Sequence, residues 1–425
     1  MKLLKILWYY WRARRLKFKD SEALERYQQG KLSKFIQRDL CHSPYFADYC
    51  EQPLTQWPLM NKVLMMKHFD SMNTQGLKVE ELLACAKRSE SSRDFSPTVG
   101  KFSVGLSSGT SGRRGVFAVS QNEQAQWSGI MLAKMLPEGL FAGERVALFL
   151  RANNNLYESV SNRWLSFQFY DLLGDFDENL SSLAQWKPTI IVAPAQVLVE
   201  IARRQQLGEC SLTPKKVISV AEVLEKEDKE KLQRVFSAVG EVYQATEGFL
   251  GCTCSHGTLH LNEAFLHIEK HWLDERRFSP IITDFTRKTQ PIVRYQLDDV
   301  LVIREAPCPC GDVQTAIERI EGRCDDQLIL KNSQGEPIRL FADACNRVIC
   351  NTLPTETDFR LHQKGLQFTL SAQCDDAELQ KCQQALTYYF AQQGAETSNV
   401  QWTLRHHLPV CSMAVKRRRI TREAE

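Results

Sequence analysis

Between residues 100 and 250 the chain repeats one pattern, a short apolar run followed by a stretch of helical length and periodicity. The apolar runs lie at 145–151, 189–194, 217–221 and 241–245, and helical spacing fills 155–171, 195–206 and 225–238. Short apolar strands that alternate with amphipathic helices predict a mainly parallel sheet covered on both faces. Such a sheet binds its ligands at the carboxyl ends of the strands. With 425 residues, 43% hydrophobic and 25% charged, the chain has apolar material for this core and for a second domain.

The flanks read differently. Residues 1–100 predict helices at 21–29, 32–40, 63–70 and 80–87. From 255 to 325 the helical pattern fades into strands at 259–268, 281–285 and 293–303, a smaller and more antiparallel region. After 325 come a hairpin, 327–331 and 337–341 about the turn Asn332-Ser333-Gln334-Gly335, then helix 343–351, strand 365–372, helix 377–393 and strand 400–405. That is an α+β unit of normal domain size.

Net charge is +3, too small for a global field that would gather nucleic acid, so no nucleic-acid partner is predicted. No apolar run reaches the roughly 20 residues that a bilayer span needs. The first residues combine leucines, tryptophans and basic residues. Trp8-Tyr9-Tyr10-Trp11-Arg12 puts bulk and charge where a signal peptide needs small residues. This helix is read as packing its Leu and Trp face on the protein, with peripheral membrane contact as the alternative. Fourteen cysteines without an export signal predict reduced thiols and a cytoplasmic protein. Oligomeric state is not legible.

Four segments carry the chemistry. Ser107-Ser108-Gly109-Thr110-Ser111-Gly112-Arg113-Arg114-Gly115 follows an apolar run at 102–106. Its glycines and hydroxyls expose backbone N–H and side-chain donors to one concave space, which suits phosphate oxygens. The spacing is neither the Walker nor the Rossmann one, and a flexible surface loop is the competing reading. Further on stand Tyr243-Gln244-Ala245-Thr246-Glu247-Gly248, Arg294-Tyr295-Gln296-Leu297-Asp298-Asp299, and Glu321-Gly322-Arg323-Cys324-Asp325-Asp326. In this order and at these separations the chain resembles the adenylate-forming (acyl-CoA synthetase, AMP-binding) superfamily, and within it the phenylacetate–CoA ligase branch. The resemblance runs over nearly the whole chain.

The resemblance implies an α/β fold with a large N-terminal AMP-binding domain, 1–324, of mainly parallel sheets and a small β region. A small C-terminal α+β lid domain, 325–425, would hinge at Asp325. It implies ATP and Mg²⁺, a small-molecule carboxylic acid as substrate, and CoA as acyl acceptor. A carrier-protein thiol or an amine is the alternative acceptor, and a non-catalytic, membrane-associated nucleotide-binding protein is the alternative class. Ser107, Ser108, Gly109, Thr110, Ser111 and Gly112 would hold the β- and γ-phosphates. Thr246 would bond the α-phosphate, Glu247 would hold Mg²⁺, and Asp299 would accept both ribose hydroxyls. Arg323 would lie near the ribose, Ala221-Glu222 beside the adenine, and Tyr243 against the base. Lys416 would reach the α-phosphate and substrate carboxylate during adenylation. The chain departs from the family pattern at Arg114-Gly115, Asp298 and Val415.

Two further readings concern metals and substrate. Cys254, His260, Cys308 and Cys310 make a candidate Cys₃His zinc site, and relatives in this branch carry a comparable set. Cys252 is the alternative to Cys254, and unligated thiols in a turn are the competing reading. His406-His407 is rejected as a metal site, because neighbours on a strand point to opposite faces. Trp164, Phe167, Phe169 and Tyr170 fall in the predicted helix 155–171, where aromatic residues are more often core than pocket. An aryl acid is a lean carried by the resemblance.

Overall fold

The computed structural model describes residues 2–92, 97–106, 115–136, 138–150, 165–172, 174–323, 328–340, 342–354, 357–408 and 418–423. The chain forms two compact units. One comprises Met1–Leu297 and Ile303–Glu318, the other Asp298–Val302 and Arg319–Glu425.

The first unit contains the sheet that the strand–helix alternation predicts. Strands Leu165–Asp171, Glu144–Leu150, Ile190–Ala193, Lys216–Ser219 and Val239–Ala245 lie side by side in that order, all parallel. Their alternate residues face two covered surfaces. Val146, Leu148, Ile190 and Ile218 share a core with the helices Lys2–Arg15 and Gln121–Met135, while Ala147, Ile191 and Val217, which point the other way, are also buried. After Val239–Ala245 the sheet turns antiparallel through Gly248–Thr253, Leu259–Leu261 and the start of Ala316–Arg323. Strands His267–Trp272, Arg277–Asp284 and Ile292–Gln296 form another antiparallel set. A three-stranded antiparallel sheet, Thr98–Val99, Phe102–Leu106 and Val116–Ser120, brackets the Ser/Gly segment.

Several sequence expectations are corrected. The predicted helix 155–171 ends in a strand, Leu165–Asp171. Phe167 and Phe169 are two apart, a strand repeat, and the ring of Tyr170 stacks on Phe149 with centroids 4.7 Å apart. The aromatic segment is thus sheet, and Trp164 lies outside the described residues. The helices predicted at 21–29 and 32–40 are one helix, Ser21–Arg38, capped by Asp20 and anchored by buried Leu24 and Phe35. Gly30 interrupts the sequence pattern, but its cost relative to alanine, about 1 kcal/mol, is too small to break a helix held by packing. Reduced thiols were expected throughout, yet Cys41 and Cys50 are joined in a disulfide. The single helical turns Leu40–His42 and Ala47–Tyr49 fold the intervening chain back, leaving the two Cα atoms 5.9 Å apart.

The first helix is docked by close backbone approach. A Cβ added at Gly129 would stand 2.6 Å from Tyr9 Cβ and 2.7 Å from the Ile6 carbonyl oxygen. Gly129→Ala is therefore expected to cost about 1–3 kcal/mol through overpacking, read as a lower denaturation midpoint with an unchanged m-value.

The second unit has its own core. The hairpin Leu328–Lys331 and Pro337–Leu340 forms as predicted. A mixed four-stranded sheet runs Gln401–Arg405, Gln367–Ala372, Phe359–Lys364, Ile420–Arg422. Helices Ala342–Thr352 and Asp376–Gln392 bring Ile349, Leu379, Leu386 and Phe390 to the same core as Leu361, Phe368 and Leu370. The strand Phe359–Lys364 was not foreseen. Asp375 and Glu378 form a capping box that starts the longer helix.

Candidate active site

Thr246 and Glu247 form the two-residue turn between Val239–Ala245 and Gly248–Thr253, with Ala245 opposite Gly248. They thus sit at the carboxyl end of the last parallel strand, where the sheet topology places a ligand site. At Gly248 the turn packs closely on Asp284, since a Cβ there would stand 3.0 Å from Asp284 Oδ2. Thr246 and Glu247 line a cleft with Gly115, Val116, Phe117, Lys62, Arg287 and Gln290. Gly115 is the residue that closes the Ser/Gly segment. Ser107, Ser108, Gly109, Thr110, Ser111 and Gly112 lie outside the described residues, as do Asp325 and Lys416.

Glu247 is only 8% exposed, and among the described residues no basic side chain forms an ion pair with it. A buried carboxylate without a cation is costly. Its carboxylate lines the same cleft, and carboxylate oxygens are the hard donors that Mg²⁺ prefers.

Arg287 is a cleft residue that motif reading did not single out. It is 9% exposed and lines the cleft. One of its nitrogens donates to the Thr246 carbonyl oxygen at 3.3 Å. Nε and the other terminal nitrogen are buried and, among the described residues, have no hydrogen-bond partner. Buried guanidinium donors left unsatisfied are rare and costly; the Arg287 charge acts on the buried Glu123 and Asp284 carboxyls nearby. The sequence signal was weak: Arg287 sits in Thr286-Arg287-Lys288-Thr289, which reads as a polar connection between strands.

Long-range bonds fix the Arg287 loop. The buried Glu123 carboxylate accepts from the N–H groups of Lys288 at 2.6 Å and Thr289 at 2.9 Å, and also from Ser120 in a capping box. Burial alone would raise the Glu123 pKa, but hydrogen bonds from Ser120 and Thr289 and the nearby Arg287 charge outweigh it and hold the carboxyl below its ordinary value. Asp284 caps the other end, accepting from Thr286 N at 2.8 Å and Thr286 Oγ1 at 2.6 Å. Gln290 Oε1 accepts from Ala118 N at 2.9 Å and ties the loop to the strand that follows Gly115.

The remaining expected residues are distributed as follows. Tyr243 is buried within Val239–Ala245. Ala221 adopts φ 67°, the left-handed conformation that glycine takes without strain. Ala221→Gly is expected to raise stability by about 1 kcal/mol in chemical denaturation. Glu222 accepts from Gln196 N at 3.3 Å, at the start of helix Ala195–Gln206. Asp299 opens strand Asp299–Ile303, Arg323 ends Ala316–Arg323, and both belong to the second unit. Arg294, of the third motif, is fully engaged in structure: Nε and one terminal nitrogen grip Glu269 at 2.9 and 2.8 Å, and the other donates to the Thr55 carbonyl at 2.8 Å.

A second constellation lies in the same unit. One ligand atom from each of Cys254, His260, Cys308 and Cys310 lies within 4.8 Å of all the others. Cys254 and His260 flank the turn before Leu259–Leu261, and Cys308-Pro309-Cys310-Gly311 supplies the rest, with Gly311 at φ 73°. Backbone N–H groups of His256 and Asp312 lie 3.3 and 3.4 Å from the sulfurs of Cys254 and Cys310. His260 Nδ1 is 3.1 Å from the Gln314 carbonyl oxygen, leaving Nε2 toward Cys310 at 3.4 Å. Burial opposes ionisation of Cys308, but hydrogen bonds from Thr258, Cys310 and His260 bring it down to about 6, while burial and the neighbouring Cys308 and Cys254 sulfurs push Cys310 up to about 12. Cys252, the alternative ligand, is instead buried in the sheet core. His406 bonds the Cys374 carbonyl and Asp376, away from any metal cluster among the described residues.

Solved structures share this architecture. 2-Hydroxyisobutyryl-CoA ligase in the postadenylation state, in complex with R3-HIB-AMP, is similar at TM-score 0.62 and 12% identity, over 95% of this chain and 90% of that one. The chain has the fold of the adenylate-forming ligases. ATP-bound MatB from Rhodopseudomonas palustris shares that fold at TM-score 0.52 and 14% identity, over 73% of this chain and 65% of that one. The amide bond synthetase McbA from Marinactinospora thermotolerans does so at TM-score 0.52 and 10% identity, over 74% and 66%. No family model and no curated protein matches the chain in sequence. In the adenylate-forming fold of this chain, the Thr246-Glu247 turn, the strand after Gly115 and the Arg287 loop surround one cleft.

Proposed function

We propose that the chain activates a carboxylic acid as an acyl-adenylate and transfers the acyl group to CoA. The observation that carries this reading is the cleft, where Thr246, Glu247 and the unsatisfied donors of Arg287 converge in an adenylate-forming fold. A carboxylate oxygen attacks the α-phosphorus of ATP in line, and the bond to pyrophosphate breaks. A thiol then attacks the acyl carbonyl and AMP leaves. The protein's task is to position the reactants and neutralise charge, not to supply a nucleophile. Thr246 Oγ1 donates to the α-phosphate, and Arg287 donates to the same phosphate from the side. Glu247 is the residue that would hold Mg²⁺, which when bound offsets phosphate charge. Asp299, Arg323 and Lys416 take the ribose and α-phosphate roles given above.

The neighbours support the reading by what they hold: 2-hydroxyisobutyryl-CoA ligase has been solved with 2-HIB-AMP and CoA together. Carboxylate-dependent exchange of pyrophosphate into ATP, run against a panel of acids, tests the first step. Thioester formation on adding CoA tests the second. Exchange without thioester would favour a carrier-protein thiol or an amine as acceptor, as the name of McbA indicates for that enzyme. Absence of exchange with every acid would point to the non-catalytic alternative.

We also propose that Cys254, His260, Cys308 and Cys310 hold zinc in a structural role. Three thiolates and an imidazole form a closed tetrahedral set, and the N–H···S bonds and the fixed His260 tautomer suit it. Protein purified under reducing conditions is expected to carry one zinc per chain, and chelation is expected to lower its melting temperature by several degrees. Reduced, folded protein without zinc would remove the site.

A further inference from the structure

The first helix, Lys2–Arg15, has two unlike faces. Ile6, Tyr10 and Ala13 are buried against helix Gln121–Met135. The opposite face is a stripe of Leu4, Trp8, Trp11 and Arg15, spaced to align on one side of a helix. Leu4 is 70% exposed, Trp8 56% and Trp11 43%. The sequence expectation that the Leu and Trp face packs on the protein is therefore corrected: the tyrosine and isoleucine face packs, and the tryptophans point out.

Charge says what this stripe faces. Lys5, Arg12, Arg14, Arg15, Lys17 and Lys19 stand on or just after the helix, and no acidic residue precedes Asp20. Guanidinium groups flank the rings, Arg12 at 5.2 Å from the Trp8 centroid and Arg15 at 5.9 Å from that of Trp11. The cationic region extends to the next helix. Burial first, then the charges of Arg12, Lys34 and Lys288, push the Lys31 ammonium below its ordinary pKa, so these cations are close neighbours.

We propose that this face docks on an anionic phospholipid surface. Leu4, Trp8 and Trp11 enter the headgroup–acyl boundary, where indole rings are at home. Lys5, Arg12, Arg15 and the neighbouring Lys31 and Lys34 meet lipid phosphates, to which basic side chains are drawn near such a surface. The helix is already folded and pinned, with Gly129 allowing its close approach, so docking does not have to meet the ordering cost of a free amphipathic peptide. A second copy of the chain is a poor occupant, because a two-fold contact would set this row of cations against itself.

The test is co-sedimentation of the full-length protein with sucrose-loaded vesicles, of phosphatidylcholine alone or mixed with phosphatidylserine. Binding to the mixed vesicles, weakened by salt and absent from pure phosphatidylcholine, is expected. Trp8→Ser with Trp11→Ser, and separately Arg12→Glu with Arg15→Glu, are each expected to lower partitioning about tenfold or more. Both pairs are exposed, so melting temperature should hold, and either pair tests the surface if the other misfolds. Wild-type protein that stays in the supernatant, or binding indifferent to both pairs, overturns the proposal. So does a concentration-dependent dimer that the same substitutions abolish while vesicle binding is absent.

Discussion

Glu247→Gln is expected to lower carboxylate-dependent pyrophosphate exchange by about 10²–10³-fold, the scale of losing one preorganised charge-stabilising group. The substitution is nearly isosteric and removes only the charge. Because no ion pair among the described residues depends on Glu247, the fold should not suffer. The defect should therefore appear in exchange rate and in the Mg²⁺ dependence, with melting temperature and far-ultraviolet circular dichroism unchanged. Exchange at the wild-type rate in this variant would take Glu247 out of the reaction.

Arg287→Met is expected to lower kcat/KM for ATP by about a hundredfold. Two charge-assisted hydrogen bonds at about 1.5–3 kcal/mol each would be lost, part of which is returned because the orphaned donors no longer need an anion. The Arg287 charge also lies beside the buried Glu123 and Asp284 carboxyls, and one nitrogen donates to the Thr246 carbonyl, so Arg287→Met is expected to lower melting temperature as well. A merely structural arginine would show that loss of stability with kinetics of the folded protein intact. Arg287→Lys is not expected to restore activity, because an ammonium cannot present the planar pair of donors. If the variant instead raised KM for the acid and left that for ATP alone, the guanidinium would be reading the acid's carboxylate.

Much of the fold was legible because it is written in local periodicity. The runs at 145–151, 189–194 and 217–221 became parallel strands, since continuous apolar segments flanked by helices have few other places to go. The hairpin about Asn332–Gly335 followed from its turn residues. The failure at 155–171 has the same root: aromatic residues fit a helix face and a strand face alike, and only pairing with Glu144–Leu150 decides. The helix broken by pattern at Gly30 was continuous because its buried contacts outweigh one poor helix former.

The candidate site divides along the same line. Thr246 and Glu247 could be placed from sequence because a strand, a two-residue turn and a glycine are local features. The role of Arg287 could not, because it depends on Glu123, Asp284 and Gln290, which meet its loop from distant parts of the chain. Cys254, His260, Cys308 and Cys310 were named together from the sequence, with Cys252 as the alternative to Cys254, and the fold brings those four side chains within reach of one another. By itself the sequence determined which segments are strands, turns and thiol-bearing loops, since short-range sterics and apolar pattern set these. The tertiary structure alone decided which charges are buried without partners and which aromatic face meets solvent, because burial is a property of residues brought together from far apart.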